Sequence, residues 1–190
     1  MRRVDAEMER QLKMLSDAMA RFNGRRGFKY KSLYDAQLSE GIRFSHQPYT
    51  EIEREVLLDI FGSARMPWKP RQCFYNAQTL SATDERLGYA EGFAMTPGLP
   101  LLIEHGWAAL GDKPVDVTLR DSGAPDRCTP EELLDRAEAN LKNAYVGVFI
   151  DKDEVRKNWL KTGYSNAMLL DPEILEMVLK HGFVDFPGTR

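Results

Sequence analysis

Residues 71–118 read RQCFYNAQTLSATDERLGYAEGFAMTPGLPLLIEHGWAALGDKPVDVT, and three of them decide how the chain is read. Cys73 opens a helix-forming run, His105 lies in one strand-forming run and Asp116 in the next. Pro67 and Pro70 bar a helix from arriving from upstream, and Pro70 suits a place at or just before the first helical residue. The spacing of Cys73, Asn76, Ala77 and Leu80 puts them on one face of the helix that follows. Cys73 then falls in the first turn, where unpaired N–H groups and the helix dipole favour a negative charge and lower a thiol pKa.

An apolar, aromatic strand is expected over Tyr89–Met95, ended by Thr96-Pro97-Gly98. Two more follow, about Leu101–Leu110 and Lys113–Leu119, joined by Gly111-Asp112. Glycine first in a two-residue hairpin suits a type II′ turn. That turn pairs Leu110 with Lys113, Trp107 with Asp116 and His105 with Thr118. His105 and Asp116 become diagonal neighbours on one face, about 7–8 Å apart at Cβ or somewhat less, which the two side chains span. Glu104 points to the other face and is the poorer partner.

The chemistry of such a trio is acyl transfer. Cys73 attacks a carbonyl, His105 takes and returns the proton, and Asp116 orients the ring. The Cys73 N–H at the helix start is placed to stabilise an oxyanion, and Gln72, Asn76 and Gln47 are the amide side chains available to assist. Trp107 shares the His105 face, so Trp107 and Trp68, with the Ser45–Tyr49 segment, are expected to line the approach to the thiol.

Cys73-Phe74-Tyr75-Asn76-Ala77, His105-Gly106-Trp107 and Val115-Asp116-Val117-Thr118 resemble the core of the transglutaminase-like branch of the papain-like cysteine protease superfamily. That branch carries its cysteine on a helix, its histidine in a strand motif close to H-A-W and its aspartate in a motif close to D-P-T. Phe74 stands where many transglutaminases have tryptophan, and the papain pattern around the nucleophile is absent. The resemblance implies an α+β fold with the nucleophile helix packed on an antiparallel sheet, and extra helices at both ends. It also implies thiol acyl chemistry, with water or an amine as acceptor; the leading expectation is a hydrolase acting on an amide, peptide or isopeptide bond of a protein or peptide substrate, without a cofactor. An amine acyltransferase or a protein deamidase uses the same chemistry.

Simpler readings exist for each residue alone. A lone cysteine beside Ala77 and Leu80 is commonly a small core side chain, and a histidine on an apolar strand is commonly structural. On those readings the chain is an interaction or inhibitor protein. A metal set of His46, Cys73, His105 and Cys128 has no C-x-x-C or H-x-x-x-H spacing behind it. The order and shared face of Cys73, His105 and Asp116 favour the thiol enzyme.

The 190 residues, 43% of them hydrophobic, suit one domain: a helical part at 1–66, a catalytic core at 67–119, and C-terminal helices with one sheet strand at 120–190. A net charge of −3 argues against a dedicated nucleic-acid protein. No apolar run is long enough to cross a bilayer. Two distant cysteines, and an opening MRRVDAEMER with acids too early for a secretion signal, point to a reducing, cytoplasmic setting. A small thiol domain with such flanks would suit a bacterial or phage protein.

Val4, Met8, Leu12, Leu15, Met19 and Phe22 form the stripe of a helix over 4–22, closed by Asn23-Gly24, packed on the domain's side or joining two copies. Arg21, Arg25, Arg26, Lys29 and Lys31 alternate with Phe22, Phe28, Tyr30 and Tyr34, a pattern that can bind a strand of nucleic acid but in so short a run is more often a solvated loop with anchored aromatics. Residues 35–49 read as irregular. Thr50 and Glu53 make a capping box for a helix burying Ile52, Val56, Leu57, Ile60 and Phe61 and closed by Gly62. Arg65-Met66-Pro67-Trp68-Lys69-Pro70 is a rigid lead into the Cys73 helix, and after a DSGAP loop at 120–128, Thr129 and Glu132 cap another helix to about Lys142. Tyr145–Ile150 is a strand, and helices starting at Asp151 or Asp153 and at Asp171-Pro172 complete the chain, the last ending at His181-Gly182.

Overall fold

The structure, a computed structural model, describes residues 2–22, 27–64, 68–119, 128–163 and 166–183. The helix stop at Asn23-Gly24, the basic pair Arg25 and Arg26, the Arg65-Met66-Pro67 part of the rigid lead and the DSGAP stretch lie outside the described residues. What is described is α+β: seven α-helices and one antiparallel five-stranded sheet.

Helix α1, Arg3–Phe22, buries only the first half of its stripe. Met8 and Leu12 pack on Phe93, Met95, Ala144 and Val146, while Met19 is exposed. The segment expected to be irregular holds a helix, α2, Leu33–Glu40, and a short strand, β1, Ile42–Arg43. Helix α2 has almost no amphipathic pattern. It forms because the Ser32 hydroxyl accepts the Asp35 N–H at its start and tertiary packing buries Ala36 and Gln37.

Helix α3, Glu51–Ser63, starts at the expected capping box, with both reciprocal hydrogen bonds of Thr50 and Glu53 present. Gly62 lies inside it, and Ile52, expected in the core, is 74% exposed. Leu57, Ile60 and Phe61 form the buried face. Helix α4, Cys73–Thr83, precedes strands β2, Leu87–Thr96, β3, Leu99–Leu110, and β4, Lys113–Val115. Helix α5, Pro130–Asn140, has a second complete capping box at Thr129 and Glu132. Strand β5, Ala144–Ile150, leads to α6, Lys152–Thr162, capped by Asp151, a 3-10 turn at Met168–Leu170, and α7, Pro172–His181.

The sheet order is β1-β5-β2-β3-β4. Leu110 pairs with Lys113 and Ala108 with Val115, the expected hairpin register. Gly111 has φ 62° and Asp112 is not among the positive-φ residues, as a type II′ turn requires. Period-two alternation gives the sheet two dissimilar faces. Ala90, Ala94, Trp107, Ala109 and Tyr145 cluster on one of them with Phe44. Small side chains on β2 leave room there for the rings of β3 and β5.

The sheet curls around that face, and the chain after β1 closes it. Ser45 donates its N–H to Asp112 O (2.8 Å), the Tyr49 hydroxyl donates to Pro114 O (2.6 Å), and Lys113 Nζ donates to Pro48 O (2.9 Å). The two sheet edges are thereby bridged. Gly92 and Gly147 face each other at the tightest point, where a Cβ on Gly147 would lie 2.6 Å from the Trp107 ring.

The outer face is covered by helices. Leu80 of α4 joins Leu87, Ala108 and Val115 with Leu57, Ile60 and Phe61 of α3 and Leu133, Leu134 and Ala137 of α5. Ala77 joins Tyr89, Val148 and Ile150 with Val178 and Leu179 of α7. Glu91 is buried on this side. Its carboxylate accepts the Met168 and Leu169 N–H groups, each at 2.9 Å, and the Tyr89 hydroxyl, anchoring the C-terminal segment to the sheet. Burial outweighs these bonds and pushes its carboxyl up to about 7. Among the described residues no helix is long and apolar enough to cross a membrane.

Candidate active site

The start of α4 is set by a turn. Gln72 donates its N–H to Lys69 O (3.2 Å), with Pro70 and Arg71 between them. Arg71, at φ 62°, occupies the third position, where a type II turn asks for a left-handed residue and glycine is usual. A side chain there costs on the order of 1–2 kcal/mol. Asn76 holds the turn: its Oδ1 accepts the Lys69 N–H (3.0 Å) and its Nδ2 donates to Lys69 O (2.8 Å) and to Thr118 Oγ1 (3.1 Å). One buried amide thus ties the lead-in of the Cys73 helix to the chain just past Asp116. The cap residue Gln72 makes no side-chain cap bond, so it does not occupy the N–H groups of the first turn.

Strand β4 is shorter than expected. Asp116, expected on a strand reaching Leu119, stands one residue beyond its end, because Oδ1 accepts the N–H groups of Thr118 (2.8 Å) and Leu119 (3.2 Å) and turns the chain. Its other oxygen, Oδ2, accepts from His105 Nε2 (2.9 Å) and from the Tyr145 hydroxyl (2.8 Å). The Tyr145 bond crosses the concave interior from β5. Asn140 Nδ2 holds Asp116 O at 2.9 Å, and Asn143 Nδ2 bonds Asn140 Oδ1 at 3.0 Å. His105 and Asp116 are each 2% exposed. Burial raises the Asp116 carboxyl, but the His105 charge and these hydrogen bonds override it and hold it below the usual range.

With Nε2 committed to Asp116, the ring's Nδ1 is left for Cys73, and a side-chain hydrogen bond joins the two. The sulfur also takes the Gly106 N–H. Burial pushes the thiol up; the His105 hydrogen bond and charge, with the Gly106 N–H, override it and bring it below its ordinary value. Burial likewise pushes the imidazole down, and the Asp116 charge and hydrogen bond, with Cys73, carry it up to about 10. Both directions favour a thiolate–imidazolium pair. Gly106 is the seam between helix and strand: a Cβ there would lie 2.8 Å from the Phe74 ring and 3.1 Å from the Tyr89 hydroxyl.

Cys73, His105 and Asp116 are thus brought together, and the other candidates are distributed differently. Asn76 has its amide spent on Lys69 and Thr118 and is not a free oxyanion donor. Gln72, exposed beside the thiol, is the amide adjacent to it in the chain; Gln47 is exposed after Ser45, whose Oγ accepts its N–H (3.3 Å). Neither indole lines an open approach. Trp68 packs in the core edge-on to Phe61, ring centroids 6.5 Å apart. Trp107 is 0% exposed, nearly parallel to His105 with centroids 6.2 Å apart, and wedged against Phe44 and Tyr145. Curling turned its face of the sheet into an interior.

His46 bonds Asp5 Oδ1 through Nε2 (2.8 Å) and Leu141 O through Nδ1 (3.1 Å). Cys128 packs half-buried against the α3–α5 core. Among the described residues no group of three or more His, Cys, Asp or Glu side chains is arranged to hold a metal. Tyr145 and Gly106 are the site residues that sequence reasoning missed. A glycine inside a strand beside a candidate histidine was a readable sign of close approach; nothing local marks Tyr145. Comparison of the chain with protein-family models, curated proteins and solved structures returns no match.

Proposed function

We propose that this chain is a cysteine-dependent acyl-transfer enzyme whose acceptor is water: a hydrolase of an amide, peptide or isopeptide bond. The observation that carries the reading is the continuous chain from Asp116 through His105 to a half-buried Cys73 at a helix start, with the imidazole pushed up to about 10 and the thiol brought down. The resemblance of the three motifs to the transglutaminase-like branch supports it. The Cys73 thiolate attacks the carbonyl carbon, and the oxyanion forms against the Cys73 N–H with Gln72 at hand. His105 gives its proton to the departing amine as the C–N bond breaks, leaving a thioester. Water, deprotonated by His105, then attacks the thioester and the thiolate departs. An amine in place of water gives acyl transfer, and a glutamine side chain as acyl donor gives deamidation.

Labelling with iodoacetamide across pH tests the reading. Cys73 should react before Cys128 and hold its rate well below pH ~8.5, where a free thiol loses its thiolate. Equal rates for the two thiols, or a Cys73 silent until unfolding, would return it to the role of a core side chain. Loss of amide hydrolysis in Cys73→Ser, with Asp112→Asn unaffected, should accompany the labelling result.

A further inference from the structure

We propose that the open edge of β3 is the substrate-binding element, and that it takes an extended polypeptide segment as an added strand leading to Cys73; this rests on the thiol reading above. Strand β3 is 12 residues long and pairs with β2 from Leu110 to Ile103 and again at Leu99, with a bulge at 100–102 between them, whereas β4 covers only Ala108–Leu110. Among the described residues, 99–107 have no strand on that side. A free edge of that length offers unpaired N–H and C=O groups to another chain.

The thiol shows which way those groups point. Ala108 pairs with β4, and the Gly106 N–H meets the Cys73 sulfur, so both turn away from β2. With a period of two, Glu104 turns the same way, while Ile103 and His105 face β2; Leu102 continues this outward set at the start of the bulge, and Pro100 beyond it has no N–H to offer. The register with β2 runs unbroken from Leu110 to Ile103. The open peptide groups therefore climb the edge in two-residue steps of about 7 Å and end at the nucleophile.

The side chains agree. Leu99, 49% exposed and paired with Thr96, and half-buried Ile103, paired with Ala94, share the His105 face, and Leu101, 57% exposed, stands in the bulge between them. Among the described residues, the other exposed large apolar side chains stand on helices or the 3-10 turn. An added strand bonds alternate peptide groups to Leu102 and Glu104 and lays alternate apolar side chains along Leu99, Leu101 and Ile103. The substrate class is an unfolded or extended segment with apolar residues at every second position.

The test uses a blocked hexapeptide alternating leucine and threonine. In Cys73→Ala, excess peptide should slow amide exchange at Leu102 and Glu104 at least tenfold and leave Ile103 and His105 unchanged. In the unaltered protein it should slow iodoacetamide labelling of Cys73. N-methylation at every second peptide amide should abolish both effects, and at the intervening amides neither. Absent protection, or protection without slower labelling, overturns strand delivery while the thiol reading stands. Concentration-dependent protection of Leu102 and Glu104 without peptide also overturns it, giving the edge to a second copy of this chain. A Cys73 inert to iodoacetamide overturns the thiol reading itself, whatever the edge does.

Discussion

Replacing Asp116 by asparagine sets the site a problem with two answers, and the structure chooses between them. The carboxylate accepts four hydrogen bonds: from His105 and Tyr145 on Oδ2, and from Thr118 and Leu119 on Oδ1. The amide has one oxygen. If it faces His105, the NH2 group confronts two backbone N–H groups, and orphaning the buried Thr118 amide alone costs about 1–3 kcal/mol. If the oxygen keeps the backbone pair, the NH2 group faces Tyr145 and His105. Tyr145 then accepts instead, turning its own hydrogen toward Asn140 O, 3.4 Å away. His105 accepts at Nε2, so its proton moves to Nδ1 and points at the thiol. The second arrangement leaves no backbone group unpaired and should prevail.

Its consequence is a folded protein with an imidazole unable to take the thiol proton. Turnover on an activated amide should fall on the order of 10³–10⁴-fold, the scale of a wrong-tautomer histidine, with stability down by about 1–3 kcal/mol for the lost charge-assisted bonds. Iodoacetamide labelling of Cys73 should shift to the alkaline range of an ordinary thiol. Nitrogen NMR of His105 should find the proton on Nδ1. A variant that keeps the wild-type labelling profile, or that carries the proton on Nε2, would refute the reasoning.

Three further outcomes follow from the packing. Gly106→Ala should cost about 1–3 kcal/mol by overpacking and lower Cys73 reactivity, and Phe74→Ala should restore part of both, since the added Cβ meets the Phe74 ring; additive losses in a double-mutant cycle would contradict this. Glu91, raised to about 7, keeps its proton in the fold after the unfolded chain has lost it near 4.5, so wild-type stability should fall by about 3 kcal/mol as pH rises through that window. Glu91→Gln should be flat there in denaturant titrations, and an unchanged slope would assign it elsewhere. Trp107→Ala should act through stability, costing about 3–5 kcal/mol by thermal or denaturant unfolding, because the indole is inside the sheet; a stable variant with altered substrate preference would put it back at an approach.

The readable parts of the fold were those with local causes. Gly111-Asp112 sets a hairpin register by turn chemistry, and that register places His105 and Asp116 on one face. Thr50 with Glu53, and Thr129 with Glu132, mark helix starts because both halves of each box lie within four residues. Helix α2 escaped because its pattern carries no stripe and its cap is a single serine. Period two assigned Trp107 to the His105 face but said nothing of which face curls inward. That depends on Gly92 meeting Gly147 and on residues 45–49 reaching across to Asp112 and Pro114, contacts between distant parts of the chain. Tyr145 bonds Asp116 across 29 residues of sequence for the same reason.

The seam at Gly106 divides labour between two layers. The imidazole and carboxylate are completed within the sheet by β3, the turn after β4 and β5, whereas the sulfur arrives from outside on α4. Ala77 and Leu80 seat that helix on the sheet, and the turn at Lys69–Gln72 with the Asn76 amide fixes its first turn. Arg71 and Gln72 stand exposed on that turn, and Arg71 is already in a conformation its side chain disfavours. The strained residue and the sulfur are thus two positions apart on one exposed corner, whereas the His105–Asp116 pair is held by bonds that this corner does not make.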